Sequence, residues 1–460
     1  MEYSAFEKVP QQARTFSFWD QAAFWFSAAS IPAAWYYGAL MAGWQGIMGA
    51  IILIFIVNTI SMIPWAYLGE IASVTGGSSM AIVRPAFGIK GSVVPSVFYL
   101  ILGLGWGMVN VFLGAIALSF IFKMWLGFPS YLDPNNLLYM GVYILVVCVI
   151  QGIFAVSGHE WMKKLQWAAT IFFVLLGFYQ TWVVLTHWNF ISLLNWKPVH
   201  PLTASVGNFT YPITFALLVD FLIAYNWTWE FIGDFSRFAR TRKAGTWGPF
   251  IGANLAQFWW FMVGAIAVVY LAMTTGAYTP LTADPSSTAV SLGLGWLAAL
   301  VILFATVTTN AGNIYASGLG VSNILQGRKT DMKKILISLA VLIFFLSLVP
   351  LLSQNFVGFF MFFLDFLGAI VVPLWTLTLV DYFIVKKRRY VDDLFKTTKG
   401  IYWYKEGWNW PAIIILLSGT VVYWIVAYAF PALRNEITAA VPTMVFVGAA
   451  YLLSMRYKIR

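Results

Sequence analysis

The residues able to do chemistry in this chain are polar side chains that interrupt long apolar stretches. Between Phe215 and Asp234 stand Asp220, Tyr225, Asn226, Trp227, Thr228, Trp229 and Glu230. On a helix, Tyr225 and Trp229 share one face, and Asn226 and Glu230 share the face beside it. An aromatic face can hold a flat ring while the polar face bonds its edge; in the competing reading Asp220 and Glu230 are paired with partners elsewhere or lie near the membrane interfaces. Further along, Thr306, Thr308, Thr309, Asn310, Asn313 and Ser317 form an oxygen-rich patch in an otherwise aliphatic stretch. Hydroxyl and carbonyl oxygens suit a hard cation such as sodium, although threonines in apolar helices also bond back to their own backbone. Gly103, Gly105, Trp106, Gly107 and Asn110 combine bare backbone with an indole one turn from an amide. Such a stretch admits either a ligand or a closely packed helix. In Ser27-Ala-Ala-Ser30-Ile31-Pro32, the proline removes a backbone donor and frees a carbonyl one turn earlier, giving a helix break or a kink.

Other chemistries find no residues. His159, His187 and His200 lack metal-ligand spacing and read as surface residues. No GxxxxGK[ST] phosphate loop occurs, and the Gly-Leu-Gly-Trp stretches at Gly103 and Gly293 lie in apolar helices. No serine has His and Asp companions suited to a nucleophile, so the chain does not read as an enzyme and calls for no cofactor. The single cysteine, Cys148, sits in an apolar run and reads as packing.

The elements that position these residues follow from composition. Of 460 residues, 61% are hydrophobic and only 10% charged, against roughly 25% charged in soluble domains. Twelve apolar stretches, at about 17–44, 46–70, 91–122, 137–157, 166–188, 211–233, 248–275, 295–318, 333–353, 358–385, 411–431 and 437–455, are each long enough to cross a ~30 Å hydrocarbon core as a helix. They do not alternate as barrel strands do. An all-α polytopic membrane protein is expected. If the N-terminus is cytoplasmic, 24 of the 27 Lys and Arg residues fall on the cytoplasmic side, leaving only Lys123, Lys197 and Arg434 opposite. That asymmetry supports an even number of spans with both termini inside, in the plasma (bacterial inner) membrane. It also explains the net charge of +10 by topology and anionic lipid contact, without nucleic acid. Residues 1–16 have no cleavable-signal pattern and read as a cytoplasmic segment, 17–385 as the core, 386–410 as a cytoplasmic connector in a hairpin or short helix, and 411–460 as two final helices with a tail. Oligomeric state is left open.

Several motifs carry a resemblance: Arg84-Pro-Ala-Phe-Gly-Ile-Lys-Gly-Ser, Asp234-Phe-Ser-Arg-Phe, Thr308-Thr-Asn, Tyr315-Ala-Ser-Gly-Leu-Gly, Asp381-Tyr-Phe-Ile-Val-Lys-Lys-Arg-Arg-Tyr and Thr398-Lys-Gly-Ile-Tyr. In this order the chain resembles the nucleobase:cation symporter-1 family, from Arg14 to about Trp410. The resemblance implies two inverted repeats of five spans, spans 1 and 6 interrupted at mid-membrane, and two extra C-terminal helices. The stretches 27–32 and 225–230, irregular on their own reading, then occupy corresponding places in the two halves.

By the resemblance, Trp106 and Tyr225 sandwich a planar substrate ring, with Ala224 beside them, Asn110 in the place of a glutamine and Ile31 in a glutamine-like place in span 1. Asn310 and Asn313 both compete for the substrate amide role in span 8. A sodium site falls on the carbonyls of Ser27, Ser30 and Ala305 and the hydroxyls of Thr308 and Thr309. Sodium then stabilises an outward-open state and raises substrate affinity, and both ligands leave inward as one bundle rocks against the other. Glu230 and Asp365 depart from hydantoin or cytosine recognition, and Glu230 either balances an amine-bearing ring or couples protons in place of sodium. The expected function is cation-coupled import of a small planar nitrogen heterocycle such as a nucleobase, hydantoin, allantoin or pyrimidine precursor. A symporter of amino acids or organic cations is the alternative within the class, and a channel or receptor the alternative outside it.

Overall fold

The first helix starts where its caps dictate. Ser17 accepts from the backbone of Asp20 while the Asp20 carboxylate accepts from Ser17, a capping box that opens α1 (Phe18–Ala29). Proline has no N–H to continue that helix, and Pro32 instead takes the first position of α2 (Pro32–Ile51), with Ile31 extended at φ −134° and ψ 152°. Of the two sequence readings, a break holds. The computed structural model describes residues 7–157, 159–198, 203–206, 209–276, 278, 283–325, 331–353 and 356–455. His200, Arg328, Lys329, Arg456, Lys458 and Arg460, among the residues read from sequence, lie outside them.

The chain continues through α3 (Asn58–Thr75), α4 (Val93–Leu126), α5 (Leu137–Val156) and α6 (His159–His187). A second interrupted segment follows, α7 (Phe215–Trp227) and α8 (Ile232–Ser236), then α9 (Arg242–Thr275), α10 (Gly295–Ile324), α11 (Met332–Ser353) and α12 (Phe356–Val380). The last elements are α13 (Trp410–Trp424), α14 (Pro431–Ile437) and α15 (Ala440–Met455). Among the described residues ten helices are long and apolar enough to cross a membrane, or eleven if α14 and α15, bent by 87°, make one span. The twelve expected spans exceed this count because residues 32–75 run on as a single helical stretch of 44 residues, interrupted by Gly46 at φ 70° and ψ 175°. One element departs from the all-helical expectation: Thr203–Val206 and Phe209–Pro212 pair as an antiparallel hairpin, with Thr203 opposite Pro212 and Val206 opposite Phe209.

Small residues set the closest helix crossings. A Cβ on Gly252 of α9 would stand 2.0 Å from the Ala22 carbonyl oxygen, and one on Gly264 would stand 2.0 Å from that of Trp35. These glycines let α9 lie against α1 and α2, the device membrane helices use where hydrophobic burial cannot drive association. The connector after residue 385 has only a short 3-10 turn, Asp392–Phe395, and docks on the Arg84 motif. Arg84 Nη1 donates to the Leu394 carbonyl at 3.0 Å, Tyr404 to that of Pro85 at 2.6 Å and Asn409 Nδ2 to that of Ala86 at 2.6 Å. Two motifs some 300 positions apart in sequence thus form one surface. Cys148 is a buried free thiol, and His187 is exposed, as their sequence settings imply.

Candidate functional site

The two helix interruptions supply the site's frame. Between α7 and α8 the helix is open at 228–231, and the carbonyls it frees are taken by indoles. Trp375 Nε1 donates to the Trp227 carbonyl at 2.9 Å and Trp65 Nε1 to that of Trp229 at 3.0 Å, while Thr228 Oγ1 bonds the Tyr225 carbonyl at 2.8 Å. A non-helical link survives at membrane depth only with such partners. Asn226 is equally committed: it donates to Asn58 and Ser61 at 2.9 and 2.7 Å and accepts from Gln257 at 3.1 Å. Asp220 is paired with Arg434 at 2.9 Å.

The rings predicted to sandwich a substrate lie together. Trp106 and Tyr225 have centroids 5.5 Å apart with planes at 87°, an edge-to-face corner that leaves no parallel slot in this conformation. Tyr225 stacks on Tyr37 at 5.6 Å, and Phe363 covers Trp106 edge-on at 5.6 Å. Both rings are buried, as are Ile31 and Ala224. Four of the predicted site residues have a buried polar atom with no hydrogen-bond partner among the described residues, namely Asn110 Oδ1, Tyr225 Oη, Glu230 Oε2 and Thr309 Oγ1; others of this kind lie elsewhere, on Gln21, Trp25, Gln257 and Tyr278 among them. Buried polar atoms are nearly always paired, so these four keep hydrogen-bonding capacity that the fold does not use.

The remaining candidates are occupied to different degrees. Asn310 Nδ2 donates to the Gly107 carbonyl at 3.0 Å and to Gln151 Oε1 at 2.5 Å, tying α10 to α4 and α5. Asn313 is half-buried and gives only a 3.4 Å bond to Asn310 Oδ1. Of the cation donors, Ser27 shares a 2.8 Å hydroxyl bond with Thr170 of α6, and its carbonyl faces Gln166 Nε2 at 3.5 Å. The hydroxyl of Ser30 bonds the Phe26 carbonyl at 2.8 Å, and that of Thr308 bonds the carbonyls of Phe304 and Ala305 at 2.9 and 3.1 Å. No hydrogen bond joins α1 to α10 among the described residues. The donor chemistry nevertheless fits a hard cation: Pro32 leaves the Ala28 carbonyl without its helical partner, Thr309 Oγ1 is free, and beside it a Cβ on Gly312 would meet nothing within 4 Å. Sequence reasoning missed Thr170, Gln166 and Gln151. Their signal was a polar residue in an otherwise apolar span.

With this geometry in view, the comparison with known proteins is decisive. Residues 8–452 match the family model described as a permease for cytosine/purines, uracil, thiamine and allantoin. The chain belongs to this family, the nucleobase:cation symporter-1 transporters. It is a multi-pass membrane transporter, not an enzyme. It shares 29% identity over 371 residues with the cytosine permease of Escherichia coli strain K12, covering 80% of this chain and 76% of that one. With the allantoin permease of Bacillus subtilis strain 168 it shares 25% over 455 residues, covering 92% and 87%. Its fold matches Mhp1 in an inward-facing conformation with a TM-score of 0.77 at 22% identity, covering 98% of this chain and 93% of the other. The closed form of Mhp1 with bromovinylhydantoin bound matches at 0.74 and 20%, covering 98% and 96%.

Proposed function

We propose that this protein imports a small planar nitrogen heterocycle, driven by co-transport of a cation, with sodium the favoured ion. One observation carries the reading: Asn110, Tyr225, Glu230 and Thr309, all singled out for substrate or ion, are among the residues whose buried polar atoms have no hydrogen-bond partner among the described residues. Asn110 Oδ1 and Tyr225 Oη present an acceptor and a donor to a ring edge, and Trp106 supplies the face on which the ring lies, a contact that contributes about 0.5–1.5 kcal/mol beyond area burial. Admitting the ring requires Trp106 to part from Tyr225. Asn313 is the span-8 amide with hydrogen-bonding capacity left, whereas Asn310 holds helices together. Glu230 favours a ring carrying amino or ring N–H donors on its edge. The cation sits where the carbonyls of Ser27, Ser30 and Ala305 and the hydroxyls of Thr308 and Thr309 converge when α1 approaches α10, so ion binding favours one arrangement of the two bundles.

In this reading α1 and residues 32–45 together make the first crossing and the rest of the 44-residue stretch the second, turning at Gly46, since at 1.5 Å per residue, residues 32–45 alone cover roughly 21 Å of a ~30 Å hydrocarbon core. Spans 1–5 and 6–10 are then the inverted repeats, and both termini face the cytoplasm.

The test is tryptophan fluorescence or thermal shift on purified protein against purines, pyrimidines, hydantoins, allantoin and thiamine precursors, with and without sodium. A heterocycle should bind at least tenfold more weakly to Trp106→Ala, and Thr309→Ala should abolish the sodium effect. Binding that ignores sodium sinks the ion assignment and moves coupling to protons. Binding of amino acids or amines alone sinks the substrate class.

A further inference from the structure

Away from the ring site, a cleft of about 380 Å³ opens among the ends of α3, α9 and the segment after α12. That volume is in the range of small-ligand sites, roughly 300–1,000 Å³. Its lining includes Glu70, only 3% exposed, with Oε1 2.7 Å from Arg242 Nη2 and 4.0 Å from Arg388 Nε. Lys243 joins them and has no ion pair among the described residues, so three cations face one carboxylate and the cleft carries a net charge of +2. Arg242 and Arg388 keep their side chains about half exposed, at 49% and 46%, with most of their N–H donors unused by Glu70. The walls are aromatic: Tyr67 and Trp247 meet edge to face at 6.0 Å, and the Arg388 guanidinium lies over Phe383 at 4.7 Å. Arg388 also holds a backbone φ of 60°, rare for a side-chain-bearing residue and maintained where the surroundings demand it.

We propose that this cleft is a binding site for a phosphate-bearing anion. Guanidinium forks match the oxygens of a phosphate, and the surplus positive charge needs an anion. The tryptophan and tyrosine, at the ends of membrane-crossing helices, belong to the level of lipid head groups. A phosphate seated there would bridge Arg242 at the start of α9 and Arg388 after α12 across Glu70 of α3, clipping three helix ends together. None of these residues lies in the ring site, so failure of either proposal leaves the other standing.

The test measures binding of phosphatidylglycerol, phosphatidylcholine, glycerol phosphate and inorganic phosphate to the purified protein, by native mass spectrometry and thermal shift. Phosphatidylglycerol should bind at least tenfold more tightly than phosphatidylcholine and lose that preference as salt is raised from 50 to 500 mM, which shortens the Debye length from roughly 14 Å to roughly 4 Å. The double variant Lys243→Gln, Arg388→Asn leaves the Arg242 contact with Glu70 in place, and asparagine tolerates the positive φ. It should unfold at the wild-type temperature without lipid and lose at least tenfold in phosphatidylglycerol affinity. Binding of the lipid alone identifies a head-group site, and equal binding of the soluble phosphates identifies a cytosolic anion. Equal affinity for the two lipids without binding of the soluble phosphates, or a double variant that binds like wild type, overturns the proposal.

Discussion

Replacing Arg434 by methionine should be among the most damaging single changes in the protein. Arg434 is 5% exposed and joins two acids: Nε meets Asp220 at 2.9 Å, and Nη2 and Nη1 meet the two oxygens of Asp365 at 2.6 and 3.1 Å. Removing one partner of a buried ion pair costs roughly 3–5 kcal/mol, because the uncompensated charge remains. The two carboxylates differ in what they keep. Asp220 retains the backbone N–H groups of Ala439 and Ala440 at 2.8–3.0 Å, and Asp365 retains only the hydroxyls of Tyr423 and Tyr428 at 3.1 and 2.6 Å. The larger share of the loss therefore lies at Asp365, and the double variant Arg434→Met, Asp365→Asn should recover at least half of it. At about 2 °C per kcal/mol, the value for larger domains, the single variant should melt about 6–10 °C lower in a detergent thermal shift. A single variant within 2 °C of wild type, or a double variant no better than the single, would refute the reasoning.

Three further outcomes follow from the same geometry. Asn310→Ala should destabilise the fold by about 1–3 kcal/mol, since it strands Gln151 Oε1 and removes the side-chain tie to the Gly107 carbonyl, whereas Asn313→Ala should leave melting unchanged and weaken substrate binding; fluorescence titration beside thermal shift separates the two. Gly264→Leu should prevent α9 from seating on Trp35 and abolish folded yield, read by size-exclusion chromatography. In the loop between α4 and α5, hydrogen bonds from Lys123 and Ser130 hold the Asp133 carboxyl down at about 2. A depressed acid contributes above its unfolded value and loses that contribution as pH falls from about 4 through 2; Asp133→Asn should remove a small increment at pH 7 and only a fraction of it at pH 2, checked by melting at both.

What could be read from sequence and what could not divides along one physical line. Helix-forming stretches, the break before Pro32 and the loaded segment after Tyr225 are local: an apolar run of sufficient length or a proline without an N–H acts through its near neighbours, and both appear where the residues put them. Polar residues in apolar runs are equally visible, but their use depends on partners far along the chain. Asn226 and Glu230 lie four apart on one face and read alike. The first is consumed by Asn58, Ser61 and Gln257, while Oε2 of the second meets nothing. Asp220 and Arg434, 214 positions apart, could be seen as one acid inside a span and one stray cation outside the cytoplasmic set, yet not as a pair. Thr309 and Thr308 are neighbours, and only one hydroxyl folds back on its own helix. The sequence thus lists candidates, and folding subtracts those it needs for itself. The subtraction leaves Asn110, Tyr225, Glu230 and Thr309 with unused polar atoms, as it does several residues elsewhere, and it shows Asn310 engaged with Gly107 and Gln151 where Asn313 is nearly free. Only partners far along the chain make that distinction, which is why residue type and spacing alone could not draw it.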